Sequence, residues 1–234
     1  MPEFIHDNQV IFYELVNPSK FGSRTPILML HGNGEDMEIF AEVLHPLLNS
    51  KSFVLMDSRL QGQSHPLENG SVRLSYEAIA SDALALMEHL GIKEYDVVGY
   101  SDGGIAALIM AMRKKNVRKI LTIGANTDPS GLTLRARREM QSARKRARSE
   151  GDELTAELMR LMLEEPHITD AMLSGIICEA TIVRGSHDPY VSKKHSERIA
   201  ALIPRASHIT FNGAGHDIPV SCAHELSELI RNLF

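Results

Sequence analysis

The sequence predicts an α/β fold, with a mostly parallel central sheet covered by helices on both faces. Three observations point there. Short β-branched or aliphatic runs recur at 10–16, 27–30, 53–56, 96–98, 120–123, 181–183 and 208–211. Most of these runs are apolar without alternation, as strands buried on both faces are. Helical patterns separate most of them, which is the rhythm of strands joined by crossover helices. Between the runs at 53–56 and 96–98, Ile79, Ala83, Leu86 and Leu90 recur at helical spacing, and Gly91 supplies a C-terminal stop. Ser192 is placed to cap a later helix that Pro204 ends. From 128 to 177 the alternation breaks: no strand is expected there, and Leu154, Leu158, Leu161 and Met162 form a helical stripe. That interval reads as a helical insertion. It holds Met140, Met159, Met162 and Met172, whose flexible thioethers suit either an adaptable apolar lining or gap-filling core. Its basic run from 135 to 148, seven cations against Glu139 alone, reads as a solvated helix face, with an anion site as the alternative.

Composition narrows the class of function. The chain has 234 residues, 43% hydrophobic and 24% charged, which is ordinary globular usage and excludes long disorder, collagen-like repeats and a coiled coil as the main architecture. Twenty-five Lys and Arg against 30 Asp and Glu leave a net charge of −5, which offers no general attraction for nucleic acid. Cys178 and Cys222 are too few for a disulfide framework and too far apart for a metal knuckle, and they fit a cytoplasmic location. The first ten residues carry Glu3 and Asp7 and lack the pattern of a secretory signal, and no apolar run is long enough to span a bilayer as a helix.

The chemistry is concentrated in the stretch from Tyr95 to Gly104, which reads as strand, sharp turn and buried helix. Gly99-Tyr100-Ser101-Asp102-Gly103 matches Gly-x-Ser-x-Gly, in which the serine sits on a strained turn and the small neighbours let strand and helix approach closely. A serine hydroxyl needs a base, and the base needs a group that holds its tautomer. Asp188 and His216 follow the runs at 181–183 and 208–211, in loops at strand C-terminal ends, and the order Ser101, Asp188, His216 is the one this turn architecture uses. Asp128 also follows a strand and stands as an alternative acid; Asp217 adjoins His216 and is poorly placed to face it. His187, His195, His208 and His224 read as surface or packing residues. For the oxyanion of a tetrahedral intermediate, the loop His31-Gly32-Asn33-Gly34 and the start of the helix after Ser101 supply the backbone N–H groups of Asn33 and Asp102. His31 reads as a structural support for that loop. A dinucleotide-binding reading of Gly32-x-Gly34 with Asp57 is set aside because Met37 stands where the third glycine belongs.

Taken together, the His31–Gly34 loop, the segment from Asp57 to Ser64, the Gly99–Gly103 turn, Asp188 and His216 resemble the α/β-hydrolase fold family over essentially the whole chain. The resemblance implies a sheet of about eight strands formed by 1–127 and 178–234, with a short helical lid, 128–177, inserted after the sixth strand. The family usually shows Asp-x-Arg-Gly-His-Gly-x-Ser in the second segment, and here Leu60 and Gln61 replace the Gly and His. The implied activity is acyl transfer to water on small carboxylic esters or related acyl compounds, with no metal or organic cofactor. The Ser101-Asp102-Gly103-Gly104 turn is similar to that of the valacyclovir hydrolase-like branch, which implies amino-acid esters as candidate substrates. Asp102, Gly32 and Tyr100 are the candidate substrate-binding residues. A carboxylate beside the nucleophile would pair with a cationic group, although an acid in the first turn of a helix also simply meets the positive end of its dipole. The other readings are a carbon–carbon bond hydrolase or perhydrolase on the same residues, and a non-catalytic small-ligand receptor. The expected partner is a small molecule, with neither nucleic acid nor membrane, in a monomer or homodimer.

Overall fold

The computed structural model describes residues 2–68, 73–113 and 116–234. In chain order the elements are β1 (Glu3–His6), β2 (Gln9–Val16), β3 (Ile27–Leu30), α1 (Ala41–Leu44), β4 (Phe53–Met56), β5 (His65–Pro66), α2 (Tyr76–His89), β6 (Tyr95–Tyr100), α3 (Asp102–Met112) and β7 (Val117–Ile123). There follow α4 (Leu134–Glu150), α5 (Glu153–Glu164), α6 (Asp170–Ser174), β8 (Glu179–Gly185), α7 (Lys193–Leu202), β9 (Ala206–Phe211), α8 (Ile218–Ser221) and α9 (Ala223–Leu233). The nine strands among the described residues join one sheet in the order β1-β2-β4-β3-β6-β7-β8-β9, with β5 paired to β2. From β4 to β9 the strands run parallel, and β2 pairs antiparallel with β4, β1 and β5.

Each of the seven expected runs is a strand, and the mostly parallel order is the one their unbroken apolar character requires. Side chains alternate between two cores at period two: Leu28, Leu30, Val54 and Met56 face α2 and α3, while Ile27, Met29, Phe53 and Leu55 face the layer of α1 and α9. Strands β1 and β5 lie outside the expectation because neither carries an apolar run; β1 is half exposed and β5 has two residues. The helix α2 begins where Ser75 accepts the N–H of Ala78 and ends before Gly91, which takes a left-handed φ of 66°. Ser192 caps α7 in the same manner, accepting from His195. The helix α3 is buried from Asp102 to Ala111, consistent with its apolar circumference.

Between β7 and β8 stand α4, α5 and α6. A separate small core of Leu132, Ala136, Met140 and Val191, joined by Met159 and Met162, fastens α4 and α5 to the loop after β8. Two expectations need correction here. Leu154 is 44% exposed because it lies in the first turn of α5, next to the Gly151–Asp152 connection and beyond Ala147, the last buried residue of α4. Met172, on the five-residue α6, is 40% exposed and lies away from the apolar lining that the other three methionines share. Most of the basic run lies on the exposed side of α4, where Arg135 pairs with Glu139 and Arg144 with Glu164, whereas Arg146 borders the cavity above the sheet. Among the described residues no helix is long and apolar enough to cross a membrane.

One polar network is buried at the sheet's left flank. Arg59 donates to both carboxylate oxygens of Asp82, at 2.6 and 2.7 Å, and His6 joins the same carboxylate at 2.8 Å. Asp82 is fully buried on α2 and Arg59 follows β4, so this fork ties helix, sheet and the β1 hairpin together. Asp82→Ala leaves the buried Arg59 guanidinium with only the exposed Asp7, at 3.3 Å, as an ionic partner, and a loss of about 3–5 kcal/mol in denaturant unfolding is expected; a loss below about 1 kcal/mol would contradict this account of the flank.

Candidate active site

Strand order reverses at β3, whose chain continues to β4 on one side while β6 lies on the other. The crevice beyond the C-terminal ends of β3 and β6 is therefore the topological switch point of the sheet, where open α/β folds place their sites. The loops that leave these two strands carry His31–Gly34 and Ser101.

Ser101 has φ 51° and ψ −113°, a strained conformation for a residue with a side chain. Tight packing holds it there. A Cβ on Gly99 would meet the Gly103 carbonyl oxygen at 2.2 Å, and one on Gly103 would meet that of Leu30 at 2.1 Å, so only glycine permits α3 to press against β6 and β3. Backbone hydrogen bonds from Ser101 N to Ile123 O (2.7 Å) and from Gly103 N to His31 O (3.0 Å) lock the turn to both neighbouring strands.

The turn presents the Ser101 hydroxyl to His216, with 3.1 Å between Oγ and Nε2. His216 Nδ1 lies 2.8 Å from Asp188 Oδ2, and an ionised Asp188 can only accept, so Nδ1 carries the proton and Nε2 is free to accept from Ser101. The other Asp188 oxygen accepts the N–H groups of Tyr190 (2.8 Å) and Val191 (3.0 Å), which fixes the carboxylate. The imidazole lies over Gly124, where a Cβ would stand 2.6 Å from its Cε1, and between the rings of Tyr100 and Tyr190. Asp128 does not reach it: that carboxylate accepts from Ser130 and Thr127. Asp217 is exposed. His195 is buried and accepts the Thr127 N–H at 3.0 Å, a packing role, and His187 and His224 are exposed.

The loop after β3 is held from several sides. His31 Nε2 accepts the Ser58 N–H at 2.9 Å, and its Nδ1 lies 2.8 Å from the Gly32 carbonyl oxygen. Gln61 Oε1 accepts the Gly34 N–H at 2.6 Å. Leu60 takes φ 62°, a left-handed value that costs a leucine about 1–2 kcal/mol and that the glycine usual in the family would accommodate freely. The two unusual residues of this segment thus act together, Leu60 setting the turn that lets Gln61 reach the loop. Asp57, weighed above for dinucleotide binding, accepts the N–H groups of Met37 and Gln63, both at 2.8 Å.

Asn33 and Asp102 have backbone N–H groups that make no hydrogen bond among the described residues, and both line the cavity above Ser101. Their side chains join the two donors: Asn33 Nδ2 donates to Asp102 Oδ2 at 2.8 Å, and the Tyr76 hydroxyl donates to Oδ1 at 2.8 Å. Of the two readings of Asp102 given above, a partner for a cationic group and an acid meeting the helix dipole, the geometry fits the second. The carboxylate is turned into the protein with both oxygens engaged, because an acid at the first position of a fully buried helix must find internal donors. Burial raises its pKa to about 6, against the opposing pull of Asn33 and Tyr76.

The cavity, about 420 Å³, is lined by Gly32, Asn33, Tyr100, Ser101 and His216 on the core side and by Met140, Met159 and Met162 from α4 and α5. It also contains Glu35, which nothing in the local sequence distinguishes from a surface acid. Its Oε2 accepts the Gly32 N–H at 3.1 Å, and burial raises its pKa from 4.5 to about 7. An acid with a raised native pKa binds more protons folded than unfolded, so stability falls as pH rises from about 4.5 to 7. The stability of Glu35→Gln relative to wild type is therefore expected to be near zero at acid pH and to grow through this window to a plateau, read from melting temperatures across pH; a difference that does not change with pH would contradict the burial.

Comparisons with known proteins agree with this architecture. Residues 25–148 match the family model described as alpha/beta hydrolase fold. The chain is 28% identical over 227 residues to Serine hydrolase BPHL of Mus musculus, covering 88% of this chain and 78% of the mouse protein. Among solved structures it is similar to a carboxylesterase structure from the thaumarchaeon Nitrososphaera gargenis, with a TM-score of 0.85, 16% identity and coverage of 99% and 97% of the two chains. It is likewise similar to the meta-cleavage product hydrolase from Pseudomonas fluorescens IP01, with a TM-score of 0.78, 18% identity and coverage of 99% and 96%. The family match spans over half of the sequence, including the β3 loop and the Ser101 turn, and the chain belongs to the α/β hydrolase fold family.

Proposed function

We propose that this chain is a serine hydrolase that cleaves small carboxylic esters or related acyl compounds through an acyl-enzyme. The observation that carries the reading is the continuous hydrogen-bonded line from Ser101 Oγ through His216 to Asp188, at 3.1 and 2.8 Å, at the floor of a cavity with two unspent N–H donors. Ser101 is the nucleophile. As its oxygen bonds to the substrate carbonyl carbon, its proton passes to His216 Nε2, and Asp188 stabilises the imidazolium while keeping its orientation. The carbonyl oxygen gains negative charge and receives the N–H groups of Asn33 and Asp102, which the Asn33–Asp102 side-chain bond holds in place before charge develops. Collapse of the tetrahedral intermediate breaks the bond to the leaving oxygen, which takes the proton from Nε2. Water then repeats the sequence on the acyl-enzyme and restores Ser101.

The segment 128–177 serves as the lid. Met140, Met159 and Met162 give the cavity a deformable apolar ceiling suited to an acyl or alcohol group. BPHL, similar over most of the chain, is named a serine hydrolase, which supports the same reading.

Stopped-flow mixing with an activated nitrophenyl ester tests it. A burst near one nitrophenolate per chain is expected, followed by slower turnover. Ser101→Ala should remove the burst and lower kcat by roughly 10⁴–10⁶-fold, and Asp188→Asn should lower it by roughly 10⁴-fold through the wrong imidazole tautomer. Undiminished hydrolysis in Ser101→Ala would overturn the assignment.

A further inference from the structure

Three carboxylates near the cavity are already committed: Asp188 to His216, Asp102 to Asn33 and Tyr76, and Glu139 to Arg135. Glu35 is different. One of its oxygens accepts the Gly32 N–H, the other makes no hydrogen bond, and no Lys or Arg pairs with it among the described residues. Its position is tightly defined. A Cβ on Gly32 would stand 2.6 Å from Glu35 Oε2 and 3.0 Å from the Tyr100 ring, so the carboxylate and the phenol ring pack against Gly32 itself. Gly32 is joined by one peptide bond to Asn33, whose N–H faces the developing oxyanion in the proposed reaction. A half-buried carboxylate with an open, solvent-accessible oxygen therefore borders the place where the reacting carbonyl lies.

Resting on the hydrolase reading above, we propose that Glu35 is a specificity-determining residue. Its free oxygen accepts a hydrogen bond from a donor group, ammonium or hydroxyl, that the substrate carries close to its reacting carbonyl, and its charge disfavours substrates with a carboxylate there. The charges that face Glu35 are His216, Asp102 and Asp36, with the Tyr100 phenol beside it and Arg146 and Glu139 across the cavity. Burial holds the Glu35 carboxyl protonated until about pH 7, His216 opposing. Selection for a cation thus strengthens as pH rises through neutrality, whereas selection for a hydroxyl is present in both protonation states.

The test compares kcat/KM for four ethyl esters of similar size: 3-aminopropanoate, 3-hydroxypropanoate, butanoate and hydrogen succinate. Each is followed by pH-stat at about pH 6 and about pH 8, where the aminopropanoate ester is largely protonated. In the wild type, at least one donor-bearing ester is expected to exceed butanoate by roughly tenfold to hundredfold at the higher pH, with succinate below it. An ammonium advantage that grows with pH assigns a cationic group; a hydroxyl advantage at both values assigns a neutral donor. In Glu35→Gln the ammonium advantage and the succinate penalty should shrink towards one and the pH dependence of the ratio should vanish, and in Glu35→Leu, which has no acceptor, a hydroxyl advantage should be lost as well, while melting temperatures report that both variants fold. Ratios near one in the wild type, or ratios unchanged in both variants, overturn the Glu35 assignment and leave the hydrolase reading standing. A wild type that turns over none of the four esters and gives no burst overturns both.

Discussion

The backbone at Ser101 is the constraint on which the rest of the site depends. Its φ of 51° is unfavourable for any side-chain-bearing residue, and it persists because two glycines let α3 close against β6 and β3 with carbonyl oxygens barely over 2 Å from where a Cβ would be. That closure does three things at once. It lifts the serine oxygen clear of the sheet, it places the Asp102 N–H at the start of a buried helix, and it brings the turn against His31 on the loop that carries Asn33. The sheet contributes the location, since the β3 and β6 loops meet only because strand order reverses between them.

Around that turn, four acids of similar chemistry acquire different tasks from their surroundings. Asp188 receives two backbone N–H groups and the imidazole, and in the proposed reaction it orients that ring. Asp102 is enclosed with Tyr76 and Asn33, and its side chain couples the β3 loop to the start of α3. Asp57 receives two backbone N–H groups and secures the turns that flank the β3 loop. Glu35, with no Lys or Arg paired to it among the described residues, keeps an open oxygen on the cavity. The difference lies in how many donors each finds inside the fold, which is what decides whether a buried carboxylate is structural or free to act.

How much of this is legible in sequence follows from the range of the interactions involved. The parallel sheet is legible because strands buried on both faces leave unbroken apolar runs such as 27–30 and 53–56. The turn at Ser101 and the placement of Asp188 and His216 after strands are legible for a similar reason, since each is a short local pattern at a strand end. What escapes is long-range or uncompensated by any local signal. Strand β1 pairs through its backbone and shows no apolar run. Leu154 fits the helical stripe yet is 44% exposed, because periodicity defines a face and not whether a neighbour covers all of it. The direction of the Asp102 carboxylate depends on Tyr76 and Asn33, which lie 26 and 69 residues away. Glu35 carries no signal until the β3 loop is folded against Tyr100.

The central claim is that Ser101 is an activated nucleophile, and intact-mass analysis after exposure to a fluorophosphonate tests it most directly. The account predicts one covalent adduct per wild-type chain, none on Ser101→Ala, and much slower labelling of His216→Ala, since the imidazole takes the hydroxyl proton. A folded wild-type protein that gains no mass, or a Ser101→Ala variant that still gains it, would contradict the account.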